Sequence, residues 1–356
     1  MQDKFLNMYL GENDLKAHIK SGGFKPCYLI FGEEHYLTRN YVEKIVATSV
    51  DAFPEFNVSR FDGNVKVQEV YDAVQSFPMM SARKVVTLCD FPFDKASSGE
   101  CEKLINCLDE IPATTVFVMW CETVEINPKK PGDKFKKLMK AVEAADGAVI
   151  HLGRKSESEI VRMLQAGAAR RKCRLDPNVA RYMIQNCSDD LGTLVNELEK
   201  LCMFVGENGV IQHATVDKVC SRSVEASVYN VSKAVLGGDL DGACRLLDDL
   251  FYMNTDPAYI LTFLASAYID IYRVFAARNS GRSVNDVAKE FGYGNLAFKL
   301  NDADRHVKKF GEKQITDSLK VLRECDRLIK GSRTDSRVAL EKVLVELTVI
   351  ASGGKV

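Results

Sequence analysis

The chain has 356 residues, a formal net charge of −1, 46% apolar residues and 27% charged residues. That balance excludes a disordered or low-complexity chain, and near-neutrality excludes bulk attraction to nucleic acid, so any DNA contact needs a local basic face inside a larger assembly. The length exceeds one ordinary core and predicts two or three domains.

The opening residues Met1-Gln2-Asp3-Lys4-Phe5 lack the basic and apolar regions of a signal peptide, and no apolar run reaches the roughly 18 residues of a membrane span. A cytoplasmic protein without membrane contact is expected. The eleven cysteines are irregularly spaced and form no Cys-x-x-Cys pair, which predicts buried free thiols and no zinc site.

In chain order, a helical stretch around Asp14–Lys20 is broken by Ser21-Gly22-Gly23. The apolar run Cys27-Tyr28-Leu29-Ile30-Phe31 then predicts a buried strand ending at Gly32. Leu37, Tyr41, Val42, Ile45 and Val46 recur at helical spacing, so the strand feeds a helix of about three turns. The alternation continues with a strand near Phe56–Phe61, a helix over Val67–Phe77 and a strand over Lys84–Leu88. A helix near Glu100–Leu108, a strand over Thr115–Trp120, a helix near Lys134–Ala144 and a fifth strand over Ala148–Leu152 complete it. Strands read as apolar throughout and separated by helices predict a five-stranded parallel sheet covered on both faces, an α/β domain over residues 1–152.

Beyond Leu152 the pattern is helical. Ser156-Glu157-Ser158-Glu159 has the form of a capping box, and Asp176-Pro177 and Asp256-Pro257 each place an N-cap before a first-turn proline. A small helical group over 153–212 carries Leu191, Leu194, Leu198 and Leu201 on one helix face and closes at Gly206-Glu207-Asn208-Gly209. A helical bundle over 213–356 follows, with long helices near Ala258–Arg278 and Glu312–Lys330 and breaks at Gly237-Gly238, Gly281 and Gly292.

The first strand-to-helix turn is where a P-loop NTPase carries Gly-x-x-x-x-Gly-Lys-Ser/Thr, whose amides and lysine hold phosphates. The chain reads Gly32-Glu33-Glu34-His35-Tyr36-Leu37-Thr38-Arg39. Leu37 stands for the second glycine, Thr38 for the lysine and Arg39 for the metal-binding hydroxyl, while Glu33 and Glu34 put negative charge where phosphate would sit. Asp90 lies past the third strand, at the place of a magnesium-binding carboxylate, and without the phosphate loop it reads as a strand-end residue. The pattern is the architecture of an ATPase without its chemistry, with no cofactor and no metal.

Several segments resemble one family. Tyr28-Leu29-Ile30-Phe31-Gly32-Glu33-Glu34 and Phe56-Asn57-Val58-Ser59-Arg60-Phe61-Asp62-Gly63 are similar to the first two strands of the delta subunits of bacterial DNA polymerase III clamp loaders. Asp190-Leu191-Gly192-Thr193-Leu194-Val195-Asn196-Glu197-Leu198-Glu199-Lys200-Leu201 resembles that family's leucine-rich helix, and Asp326-Arg327-Leu328-Ile329-Lys330-Gly331 its late Asp-x-x-Ile-Lys segment. The resemblance implies a degenerate AAA+-like module with a lid-like helical domain and a C-terminal helical collar that joins a heteropentamer. It implies a non-catalytic subunit that binds the sliding clamp and opens or holds open its interface for loading onto primed DNA. The implied partners are the clamp, the ATPase and delta-prime subunits, and primer-template DNA.

Ser76-Phe77-Pro78-Met79-Met80-Ser81-Ala82-Arg83 resembles the family segment whose two large apolar side chains enter a hydrophobic pocket of the clamp. The implied clamp-binding residues are Phe77, Pro78, Met79 and Met80. The family often carries Leu or Phe where Met79 and Met80 stand, although flexible thioethers suit an irregular pocket. Without the family, the same segment reads either as a turn with methionines tucked into the core or as an exposed partner surface.

Lys129, Lys130, Lys134, Lys136 and Lys137, then Arg170-Arg171-Lys172, then Lys308-Lys309 form basic runs that read as solvated helix faces, with no aromatics interleaved as a stacking platform. His35, His151 and His213 are too dispersed for a metal motif, and Glu197 and Glu199 read as ion-pair residues rather than general acids. A sister subunit of the same ring is disfavoured because Cys220-Ser221-Arg222 has the wrong order and position for an arginine-finger Ser-Arg-Cys motif. The remaining alternative is another clamp-loader-like or helicase-loader AAA+ protein with a divergent nucleotide site.

Overall fold

Five short runs of apolar and β-branched residues form one parallel sheet: β1 (Cys27–Phe31), β2 (Val58–Asp62), β3 (Lys84–Cys89), β4 (Thr115–Trp120) and β5 (Ala148–His151). A computed structural model describes residues 9–63, 65–188, 190–221, 223–293, 297–308, 310–331 and 335–354. The readings made on Met1–Phe5, Arg222 and Lys309 lie outside those residues.

The strand order is β2-β3-β4-β1-β5, which sets β1 between β4 and β5. β1, β3 and β4 are buried along their whole length, because helices cover both faces. β2 departs from the all-apolar expectation: Arg60 and Asp62 are exposed, since this edge strand pairs only with β3. It also begins later than predicted, because Pro54–Asn57 makes one helical turn with proline in its first position.

Before β1 comes α1 (Glu12–Ser21), and the segments between strands are α2 (His35–Ser49), α3 (Pro54–Asn57), α4 (Val67–Gln75), α5 (Ser98–Asp109) and α6 (Asp133–Ala144). In α2 the predicted face is buried at Leu37, Tyr41, Val42, Ile45 and Val46. α5 starts at a capping box in which Ser97 and Glu100 satisfy each other's backbone amides. Val70, Val74, Leu104, Phe135 and Leu138 pack with Leu29, Val86 and Phe117 in one core.

The chain separates into two compact units, Met1–Lys155 and Ser156–Val356. The second begins with α7 (Glu157–Arg170), α8 (Pro177–Asn186), α9 (Leu191–Val205) and α10 (His213–Val219). The Ser156/Glu159 capping box is formed, and Asp176 and Asp190 cap α8 and α9. The helical expectation is corrected at one point: Arg174–Leu175 (β6) and Val210–Ile211 (β7) pair as short parallel strands. Leu191, Leu194, Leu198 and Leu201 are all buried.

α11 (Val224–Leu236), α12 (Leu240–Tyr252), α13 (Pro257–Asn279), α14 (Val284–Glu290), α15 (Ala297–Val307), α16 (Glu312–Gly331) and α17 (Ser336–Ala351) follow. Gly238, Gly281 and Gly292 take positive φ at the breaks between helices, as glycine allows without strain. α13 is long and apolar enough to cross a membrane by length and composition alone. Ile260, Leu261, Leu264 and Tyr268 instead pack with Leu340, Val343 and Leu347 of α17 in a shared core, which gives its apolar character a structural use.

Candidate functional site

The carboxyl end of β1 lies between β4 and β5, where open parallel sheets commonly hold ligands. Here the turn is closed by its own side chains. Gly32 has φ 143, and a Cβ on it would meet the Leu152 carbonyl oxygen at 2.1 Å. The Glu34 amide donates to that same carbonyl at 3.1 Å, so the turn is drawn down onto the segment leaving β5. Leu37 is buried, and Thr38 is fully buried with its hydroxyl donating to the Glu34 carbonyl at 3.2 Å. Arg39 pairs with Glu122 at 2.5 Å, and His151 Nε2 lies 3.3 Å from Glu33 Oε2. The positions of a second glycine, a lysine and a metal-binding hydroxyl are thus occupied by an apolar anchor, a buried hydroxyl and an ion-paired arginine.

Asp90 has a structural task as well. Its carboxylate accepts from the amides of Glu122, Thr123 and Val124 at 2.7 to 3.2 Å and from the Thr123 hydroxyl at 2.7 Å. Burial of the carboxyl pushes its pKa up, but these hydrogen bonds outweigh that and leave it lowered. Among the described residues, no group of three or more His, Cys, Asp or Glu side chains could hold a metal ion.

The turn after α4 is built the opposite way. Phe77 is 83% exposed, Met79 53% and Met80 77%, with Pro78 half-buried between them. Methionines tucked into the core, the bland reading of the segment, do not occur. The backbone beneath is held firmly: fully buried Asn57 donates through Nδ2 to the carbonyls of Met79 (2.8 Å), Ala52 (2.9 Å) and Phe53 (3.1 Å), and accepts from the Met79 amide at 2.7 Å. Asp51 accepts from the Ser81 hydroxyl and the Ala82 amide at 2.5 and 3.1 Å where the turn leaves. At the other end, buried Lys84 donates to the Ser76 hydroxyl. The result is a rigid turn with apolar side chains in water.

A family model described as DNA polymerase III, delta subunit, matches residues 28–145, and one described as the C-terminal domain of that subunit matches residues 225–347. The chain belongs to the DNA polymerase III delta subunit family. As a delta subunit it is a component of the clamp loader that serves DNA replication.

A curated relative, DNA polymerase III subunit delta of Bacillus subtilis (strain 168), is 24% identical over 346 residues, 94% of this chain and 96% of its own length. Replication factor C subunit 4 of Oryza sativa subsp. japonica is 24% identical over 219 residues, 59% of this chain and 61% of its own. The solved structure of the Bacillus subtilis DNA clamp loader delta protein is similar in fold, with TM-score 0.62 at 20% identity, covering 94% of this chain and 99% of that one. The expected five-stranded parallel sheet and the helical C-terminal part are both present.

Several of the other polar residues singled out in the sequence have local duties. Lys134 donates to the carbonyls of Asp94 and Ala96, Lys136 pairs with Asp133, Arg171 with Glu199 and Lys172 with Glu207. Glu197 is buried and pairs with Lys200 at 2.7 Å. His213 packs edge-on against Tyr182, and His151 lies beside Glu33. All eleven cysteines are free thiols, and burial pushes Cys27 and Cys121 up to about 12, far from the thiolate a nucleophile needs.

One feature escaped the sequence reading. Phe53, which caps the α3 turn, and Phe56, which lies within it, are 45% and 61% exposed, and the turn shares the Asn57 anchor with Met79. The signal was present in Phe53-Pro54-Glu55-Phe56-Asn57: two aromatics around a proline fit neither a buried strand nor the apolar stripe of a helix.

Proposed function

We propose that this chain is the clamp-binding, non-catalytic subunit of its loader, and that Phe77, Pro78, Met79 and Met80 enter an apolar pocket on the sliding clamp. By this reading residues 1–152 engage the clamp, 153–212 form a small lid-like domain, and 213–356 form the collar that joins the ATPase and delta-prime subunits. The bound subunit opens one clamp interface, or holds it open, while neighbouring ATP-binding subunits set the timing and primer-template DNA enters the assembled ring in the cytoplasm.

The observation that carries the reading is the exposure of Phe77, Met79 and Met80 on a backbone held by buried Asn57. Large apolar side chains held out in water mark a partner surface, and a pre-set backbone lowers the entropy lost when the partner docks. Burying two methionines supplies about 3 to 6 kcal/mol, at about 1.5 to 3 each. Micromolar affinity requires about 8 kcal/mol, so the two methionines need neighbours.

Binding of the purified chain to the sliding clamp of the same organism tests the reading. The Met79→Ala, Met80→Ala double variant, with an unchanged melting temperature, is expected to lose the complex that the natural chain forms. A natural chain that fails to bind an active clamp defeats the proposal, and equal binding by the variant moves the contact elsewhere.

A further inference from the structure

We infer that the clamp-binding surface has two parts, the Phe77–Met80 turn and the Phe53–Phe56 turn, joined by Asn57 into one pre-formed apolar face. The inference rests on the clamp-binding reading and adds contact residues on a separate segment of the chain.

A buried amide group makes the join beneath the tips, and Asp51 adds a second tie to Ser81 and Ala82. Asn57 Nδ2 touches the carbonyl oxygens of Phe53 and Met79 at 3.1 and 2.8 Å, so the two turns are fixed within one side chain's reach of each other. Its Oδ1 accepts from the Met79 amide at 2.7 Å, which leaves neither end of the amide free to rotate. Asn57 is fully buried, while Phe53, Phe56, Phe77, Met79 and Met80 around it are all exposed. Apolar side chains turned to water on two loops, over a buried and fully hydrogen-bonded asparagine that holds those loops together, bring little to a free-standing protein and suit one with a partner.

Backbone strain falls at the same places. Phe53 and Met80 have φ of 49 and 52, a left-handed conformation that ordinary side chains seldom adopt. One such residue lies on each turn, and each is a large apolar side chain rather than glycine or asparagine. Strain of that kind persists where the surroundings impose it and gathers at recognition sites. The occupant that fits is the sliding clamp, because Asn57 ties the Phe53 turn to the methionine turn and the chemistry of the two, aromatic and thioether groups on a fixed backbone, suits a dry apolar pocket.

The test compares three full-length chains for binding to the clamp of the same organism: natural, Met79→Ala with Met80→Ala, and Phe53→Asn with Phe56→Ser. Asparagine is chosen at position 53 because it tolerates the left-handed backbone. A second version, Phe56→Ser alone, keeps the test valid if the pair lowers the melting temperature. At least tenfold weaker binding by each folded pair supports a two-part face. Binding by the Phe53/Phe56 variants within twofold of the natural chain, with the methionine variant defective, overturns the inference and leaves the clamp-binding reading intact. No binding by the natural chain overturns both.

Discussion

The turn after β1 and the turn after α4 belong to the same α/β unit and handle their side chains in opposite ways. Around the first, Gly32 presses against the Leu152 carbonyl, Thr38 is buried under the Glu34 carbonyl, and Arg39 is paired with Glu122. Around the second, polar groups work underneath, at Asn57, Asp51 and Lys84, while Phe77, Met79 and Met80 stand in water. The first turn has become part of the structure, where side chains answer to stability. The second keeps its polar groups on the backbone and its apolar side chains in water, side chains that the proposed function assigns to a partner. Substitutions should therefore cost folding at one turn and binding at the other.

The largest effect is expected at Gly32. A side chain there meets a backbone carbonyl at 2.1 Å with φ at 143, and the strand cannot yield without breaking its pairing with β5. Gly32→Val should destabilise by about 4 kcal/mol or more, or prevent folding, as measured by denaturant melts. By contrast, the Met79→Ala, Met80→Ala chain should stay within about 0.5 kcal/mol of the natural one, as exposed substitutions usually do. Comparable losses at both turns would erase the distinction between them.

That contrast also separates what the amino-acid order made legible from what it did not. The individual strands, the α2 face and the caps at Ser156, Asp176 and Asp256 were readable because each depends on neighbours within a few residues. The lost phosphate loop was readable for the same reason, being one contiguous segment. What replaced it was not, since the Arg39–Glu122 pair and the Asp90 contacts to residues 122–124 join segments far apart in the chain. The Met79 and Met80 segment was singled out by resemblance, whereas the exposed Phe53 and Phe56 were not, because the contacts that bring their turn to it, through Asn57 and Asp51, span 22 to 31 residues of chain. The edge position of β2 was likewise hidden, because strand order is a long-range property.

A smaller effect should appear where the closed side of the unit is braced. Glu12 accepts from Tyr41 of α2 at 2.6 Å and pairs with Lys155 and Lys16, each at 2.7 Å. Burial pushes the Glu12 carboxyl up, but the hydrogen bonds from Lys155, Lys16 and Tyr41 prevail and bring it from 4.5 down to about 2. A lowered folded value means this stability is present above 4.5 and is lost as pH falls from 4.5 towards 2. Glu12→Gln should cost roughly 1 to 2 kcal/mol at pH 7, allowing for partial solvent screening. The gap between the two chains should narrow as pH falls through that window, measured by melts at pH 7 and pH 3. A gap that persists unchanged at pH 3 would deny the carboxylate its role.

The smallest change has the opposite sign and divides stability from binding at one residue. Met80 has φ 52, a conformation that costs a side-chain-bearing residue about 1 to 2 kcal/mol. Glycine removes that cost but loses more freedom on folding, about 0.5 to 1 kcal/mol, so Met80→Gly should leave the chain unchanged or more stable by up to about 1 kcal/mol. The exposed thioether makes no contribution to the core, so little is lost in exchange. If the side chain is kept for a partner, clamp binding should fall even as the melting temperature holds or rises. A Met80→Gly chain that is less stable yet binds as well as the natural one would mean that Met80 serves the fold, and that the turn after α4 resembles the turn after β1 after all.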